Sequence, residues 1–173
     1  YRYSNIGFNL AGYILQSVSK QPIAQCLQTM IFDPLGMHDS TAEADVYARQ
    51  VNRAVGHETG YEAVPLKTPG ISTGGVYMSA RDMVAYLLFH LNKGRIGKET
   101  LLNEQLWNEM HSFAFPGAYS LGVAGGVLRF GETDVRMFLH SGRGFGFGCM
   151  FRFYPQAKLG LAVLFNRPAG SAY

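Results

Sequence analysis

The feature that most constrains the fold of this chain is a change in hydrophobic period near Tyr119. Before it, apolar residues recur at helical spacing. Ile6, Leu10, Tyr13, Ile14 and Val18 predict a helix over Ile6–Ser19, stopped by Gln21-Pro22. A second helix over Ile23–Phe32 is expected to end at Asp33-Pro34 and the Leu35-Gly36 turn, because proline cannot continue a helix interior, and the two helices should pack as a pair. Ser79 followed by Asp82 forms a capping-box-like start for a helix over Ala80–Asn92 that turns Met83, Leu87, Leu88 and Leu91 inward and closes at Lys93-Gly94. Leu106, Trp107 and Met110 mark a further helix at about Asn103 to His111, with Trp107 as a core anchor.

From Tyr119 the period becomes two. Leu121–Val123, Val127–Phe130, Val135–His140, Gly146–Tyr154 and Leu159–Phe165 predict four or five strands joined by short turns such as Gly131-Glu132 and Tyr154-Pro155-Gln156. Short turns between consecutive strands imply antiparallel pairing. Helices first and strands last predict an α+β fold, an antiparallel β-sheet flanked by helices. Residues 1–118 are then mainly helical and 119–173 carry the sheet, as parts of one domain. His38–Pro69 mixes polar, glycine and β-branched residues without a sustained period, which predicts an irregular excursion. The chain has neither internal repeats nor a long linker.

Composition narrows the function classes. With 173 residues, 47% hydrophobic and 13% aromatic, the chain can build a globular core. The net charge is +3, and no basic cluster is interleaved with aromatics, which argues against nucleic acid as a partner. No apolar run approaches the ~18 residues of a membrane span, and no basic-then-apolar signal segment is present, so localisation stays open. His38, His57, His90, His111 and His140 show no H-x-H or HExxH pairing, so neither a metal nor another cofactor is implied. Cys26, in a helix, and Cys149, in a strand, read as two buried free thiols. From Tyr119 onward Arg129, Arg136, Arg143, Arg152, Lys158 and Arg167 stand against Glu132 and Asp134. That bias suits an anionic substrate, although solvated surface charge is the plainer explanation.

Two tripeptides carry the chemistry. Taken alone, Tyr3-Ser4-Asn5 is a helix N-cap before an apolar periodic run, and His140-Ser141-Gly142 places a histidine in a strand. They occur together with Ile31-Phe32-Asp33-Pro34-Leu35-Gly36-Met37 and with Gly74-Gly75 leading into Ser79-Ala80-Arg81-Asp82. The set resembles the penicillin-recognising serine hydrolases: class C β-lactamases, D-Ala-D-Ala peptidases and related esterases, whose sites combine S-x-x-K, Y-x-N and [KH]-x-G. The resemblance runs from Tyr3 to about Asn166, with the motifs in family order. It implies a β-lactamase/transpeptidase-like fold and hydrolysis of amide or ester bonds through an acyl-enzyme. In the family the S-x-x-K serine precedes Y-x-N. The resemblance therefore implies a C-terminal portion, incomplete at the N-terminus and inactive alone, whose first partner is the N-terminal part of the same protein. One S-x-x-K string, Ser17-Val18-Ser19-Lys20, falls in the polar last turn of the first helix and reads as a chance match.

Acyl transfer through serine needs a nucleophile, a proton acceptor and donors for the developing oxyanion. By the resemblance, Tyr3 would shuttle the nucleophile's proton, and the Asn5 amide would hold the substrate carbonyl and orient the S-x-x-K lysine. A phenol titrates near ~10, so Tyr3 needs nearby cations, for which the lysine and His140 are the candidates. Ser141, Gly142 and Arg143 would bind substrate, the Arg143 backbone N–H serving the oxyanion hole. Gly142, Gly144, Gly146 and Gly148 alternate, which in a strand leaves one face open to a substrate or another backbone. Their spacing does not fit the G-x-G-x-x-G of a phosphate loop.

His140 replaces the lysine of class C β-lactamases, which leans the expectation toward D-Ala-D-Ala peptidases, D-aminopeptidases and esterases of the family. An imidazole titrates near ~6.5, so a cationic His140 predicts affinity that weakens as pH rises through neutrality. Arg143 points to a small-molecule or peptide substrate bearing a carboxylate. Two rivals stand beside the hydrolase: a catalytically dead relative that binds a peptide or peptidoglycan-like ligand, and a domain that has kept the fold only.

Overall fold

The computed structural model describes residues 2–58, 60–66, 70–113 and 119–167. The expected end of the irregular stretch at Pro69, the boundary at residue 118 and the tail beyond Arg167 lie outside them. The chain divides into two compact units, one of residues 2–82, 142–148 and 164 onward, the other of 83–141 and 149–163.

In the first unit, helix α1 (Asn5–Ser19) begins where extended Ser4 turns its hydroxyl to accept the Gly7 N–H at 3.1 Å. It ends at left-handed Lys20, whose N–H returns to the Gln16 carbonyl at 2.9 Å. The helix packs through a small residue. Gly12 is buried against the short 3-10 turn Ile71–Thr73, where any Cβ would run into the Ser72 side chain. The apolar stripe Ile6, Leu10, Tyr13, Ile14 and Val18 stays exposed.

Helix α2 (Ile23–Leu27) is tied back to α1 by the Gln16 side chain, which accepts the Ile23 N–H at 2.8 Å. The predicted stop at Asp33-Pro34 is displaced. A π-turn over Gln28–Phe32 leads into one more short helix, α3 (Asp33–Leu35), and the chain turns only at Gly36, φ 66°. Pro34 is tolerated because it sits in the first turn of α3, where its missing N–H has no required partner. Beyond it, α4 (Ala44–Arg49) interrupts the stretch expected to be irregular, and Tyr47 stacks on Tyr77 with ring centroids 4.1 Å apart.

Asp82 organises this unit. Its N–H meets the Ser79 hydroxyl at 3.1 Å, as a cap requires. Its carboxylate does not reach back to Ser79; Oδ2 accepts the Asp39 N–H at 2.8 Å and the Ser40 hydroxyl at 2.7 Å. Helix α5 (Ala80–Leu91) continues from there into the second unit. Met83 and Leu87 are buried as expected, whereas Leu88 is exposed and Phe89 and His90 take the inward positions.

The second unit continues with a hairpin of β1 (Arg95–Ile96) and β2 (Glu99–Thr100) around Gly97, φ 57°, and with α6 (Glu104–Met110). A four-stranded antiparallel sheet follows in the order β3 (Ala124–Phe130), β4 (Thr133–Gly144), β5 (Phe147–Tyr154) and β6 (Leu159–Phe165). The register of the first pair runs from Ala124 opposite Leu139 to Phe130 opposite Thr133. The strand expected at Leu121–Val123 is absent. Both the N–H and the hydroxyl of Ser120 bind the Val123 carbonyl, and Gly122 has φ 92°, so these residues close a turn. Trp107 is buried, as its anchor role predicts. Cys26 is buried, as expected, and Cys149 only half-buried. Among the described residues no helix is long and apolar enough to cross a membrane.

Asp82 is 2% exposed and receives two bonds from residues more than forty positions away, so its loss strands the Asp39 N–H. Asp82→Ala is expected to lower unfolding free energy by about 2–3 kcal/mol in urea denaturation. A loss under about 0.5 kcal/mol would show that water replaces the carboxylate at no cost.

Candidate active site

Tyr3, Asn5, Gly142 and Arg143 belong to the first unit, and His140 and Ser141 to the second. Tyr3 and Asn5 flank the cap of α1. The Ser4 hydroxyl is committed to the Gly7 N–H, which fixes the entry of the chain into the helix and sets Asn5 at the positive end of the helix dipole. Arg2, Tyr3, Ser4, Asn5 and Ile6 line an open concavity. Tyr3 is about half exposed and Asn5 is exposed, whereas the Ser4 hydroxyl is taken by the cap.

Strand β4 carries His140, Ser141, Gly142 and Arg143 in succession. Alternation puts His140 on the face of buried Phe138, while Ser141 and Arg143 point to the other face and are exposed. The His140 ring stacks 6.3 Å from Phe151 and meets Tyr119 edge-on at 6.5 Å. Burial in this setting pushes the imidazole below its ordinary 6.5. The expectation of a cation fading through neutrality moves accordingly, because burial shifts the loss of charge to the acid side of 6.5.

The alternating glycines do not form one open strand face. Phe145 and Gly146 have φ of 52° and 81° and make the two-residue turn between β4 and β5, a conformation in which glycine is unstrained. The space beside Gly146 is taken by the chain itself. A Cβ there would stand 2.6 Å from the Gly56 carbonyl carbon, and the Gly146 carbonyl accepts the His57 N–H at 3.1 Å. That N–H is shared with the Asn166 carbonyl at 2.9 Å, and the Asn166 amide donates to the Val55 carbonyl at 3.2 Å. Val55–His57 and Asn166 thus hold the turn that follows the His140-Ser141-Gly142 triplet. Their signal in the sequence was a single glycine, Gly56, in a stretch without period.

Ser17 and Lys20 sit as the helix-end reading expects. The Ser17 hydroxyl donates to the Tyr13 carbonyl at 2.9 Å, and Lys20 is the left-handed cap. Among the described residues no three His, Cys, Asp or Glu side chains converge as a metal site.

The chain is 26% identical to the D-alanyl-D-alanine-carboxypeptidase/endopeptidase AmpH of Escherichia coli (strain K12) over 174 residues, which cover 95% of this chain and 45% of that protein. It superposes on the octameric penicillin-binding protein homologue from Pyrococcus abyssi with a TM-score of 0.80 and 23% identity, over 97% of this chain and 39% of that one. On the class C beta lactamase from Rhodobacter sphaeroides the TM-score is 0.80 at 22% identity, over 98% and 56% of the two chains. These likenesses establish the β-lactamase/transpeptidase-like fold, and the chain spans about half the length of the proteins it matches. The beta-lactamase family model matches residues 1–173, from before Tyr3 to beyond His140, and the chain belongs to that family.

Proposed function

We propose that this chain supplies the proton-shuttling and substrate-side half of a serine hydrolase site that cleaves amide or ester bonds through an acyl-enzyme, most like the D-Ala-D-Ala peptidases and esterases. The observation that carries the proposal is the capped Tyr3-Ser4-Asn5 at the start of α1, together with His140-Ser141-Gly142 on β4, in a member of the beta-lactamase family. The relative named as a D-alanyl-D-alanine-carboxypeptidase/endopeptidase supports the substrate class.

The nucleophilic serine comes, in this proposal, from an S-x-x-K segment outside these 173 residues. Two observations support that placement: the Ser17 hydroxyl is occupied in a helix terminus, and the apolar stripe of α1 is open to cover by another segment. The serine oxygen attacks the substrate carbonyl carbon while its proton passes to the Tyr3 oxygen. The Asn5 amide holds the carbonyl side of the substrate, and the Arg143 backbone N–H donates to the oxyanion. Collapse expels the amine or alcohol, which takes the proton from Tyr3, and water repeats the sequence to release the acid. Burial disfavours the charged form of His140, so in this proposal the S-x-x-K lysine supplies the cation beside Tyr3. The exposed Arg143 guanidinium favours a substrate ending in a free carboxylate. The chain by itself is expected to be inactive.

In the whole protein, Tyr3→Phe is expected to lower kcat/KM for a D-Ala-D-Ala peptide or an activated ester by about 10²- to 10⁴-fold, and Asn5→Ala by about 10²- to 10³-fold, with unfolding midpoints unchanged. Turnover unaffected by both would sink the proposal, and ligand binding without turnover in the unsubstituted protein would point to a non-catalytic binder. The pH dependence has a definite sign. KM for a carboxylate-bearing substrate should rise as pH is raised through the His140 titration below 6.5 and stay flat above it, and His140→Gln should remove the rise. A KM that climbs between pH 7 and 8 and loses that climb in His140→Gln would contradict the neutral imidazole.

A further inference from the structure

We propose that the buried His90–His111 pair is an acid-sensitive latch, which ties α5 and α6 to the sheet of their unit at neutral pH and loosens that packing when the pair takes up a proton. The inference is independent of the hydrolase proposal and concerns residues with no part in it.

The hydrogen bonds fix the tautomers. His111 Nδ1 lies 2.7 Å from the Trp107 carbonyl, which can only accept, so His111 carries its proton on Nδ1. Its Nε2 is then a lone pair. That atom stands 3.1 Å from His90 Nδ1, which must be the donor. His90 Nε2 is left as an acceptor, and it is buried without a partner among the described residues. The Trp107 indole N–H donates to the His90 carbonyl at 3.2 Å, so α5 and α6 are linked in both directions. Both rings also grip the sheet. His90 stacks on Phe153 at 4.9 Å, and His111 lies between Trp107, at 4.1 Å, and the edge-on contact with Phe138 at 4.9 Å.

The relay has room for one more proton, on His90 Nε2, and the cage is built to refuse it. His90 is 0% and His111 1% exposed. On α5 the titratable neighbour is Tyr86, edge-on to His90 at 4.6 Å, and burial holds its phenol neutral up to about 12. At the C-cap of α6 it is His111 itself; β4 adds the positive charge of Arg136 near His111, and β5 offers Phe153. Neither imidazole has a carboxylate partner among the described residues. Cation–π attraction from Phe153 is weak beside the cost of an uncompensated buried charge, so desolvation wins. Burial, followed by the neighbouring His111, lowers His90 to about 3. Burial also lowers His111, the Trp107 bond opposing it and Arg136 adding to it.

The sign follows from linkage. A base with a folded pKa below its unfolded ~6.5 binds more protons when unfolded, so the stability it supports is complete above 6.5 and is lost as pH falls from 6.5 toward about 3. The test uses the whole protein with ¹⁵N-labelled histidine. Imidazole NMR is expected to show His90 and His111 as neutral Nδ1–H tautomers from pH 8 down to 5. The folding constant of this unit should be flat from pH 8 to about 6.5 and fall between about 6.5 and 5 by up to about tenfold per pH unit per histidine. His90→Phe/His111→Gln, which keeps a donor for the Trp107 carbonyl, should lose at least half of that pH dependence. Should this variant not fold, the NMR titration of the unsubstituted protein decides alone. Either histidine titrating at or above 6.5, or the full pH dependence surviving in a folded double variant, would overturn the latch.

Discussion

The stack of Phe138 on Phe153, with ring centroids 5.2 Å apart and neither residue exposed, is the contact on which the second unit depends. Because side chains alternate along a strand, a one-residue slip of β4 would move Phe138 into solvent and turn every neighbour over. Burial of this one ring therefore sets the side of the sheet on which His140 stands, and it faces Ser141 and Arg143 the other way. The same two phenylalanines meet His90 and His111, so the helices and strands of this unit converge on one aromatic cluster.

Where the sequence spoke through period, it was legible. The helical spacing before Tyr119 and the alternation after it gave α1, α5, α6 and the main strands of the sheet, and the family resemblance gave the fold. What it could not show was which apolar face turns inward. The stripe of α1 is exposed and the packing falls to Gly12, because a residue without a side chain allows Ser72 to approach. Leu88 and the pair Phe89-His90 exchanged places for a related reason: the core of this unit selects aromatic rings, and composition alone ranks leucine as the more buried. Pro34 and Gly122 misled in opposite directions, one ending a helix too early and the other being read into a strand.

The candidate site was legible as two tripeptides and obscure in its supports. Local capping explains Tyr3 and Asn5, since Ser4 is consumed as the cap that holds them. The glycine run after His140 looked like space kept for substrate. Gly146 instead turns the chain and lies against Gly56, a pairing between residues ninety positions apart that no local pattern encodes. His140 shows the same limit in electrostatic form. Its residue type suggested a cation, but burial lowers its imidazole, and the rings beside it, Phe151 and Tyr119, come from other segments.

The central claim is that Tyr3, Asn5 and His140 serve a serine carried elsewhere in the same protein. It is tested most directly by incubating the whole protein with a fluorophosphonate and locating the adduct by intact mass and peptide mapping. A single adduct on the serine of an S-x-x-K segment preceding Tyr3, slowed by Tyr3→Phe, is the predicted result. An adduct on Ser17, or none on a protein that hydrolyses substrate, would contradict the account.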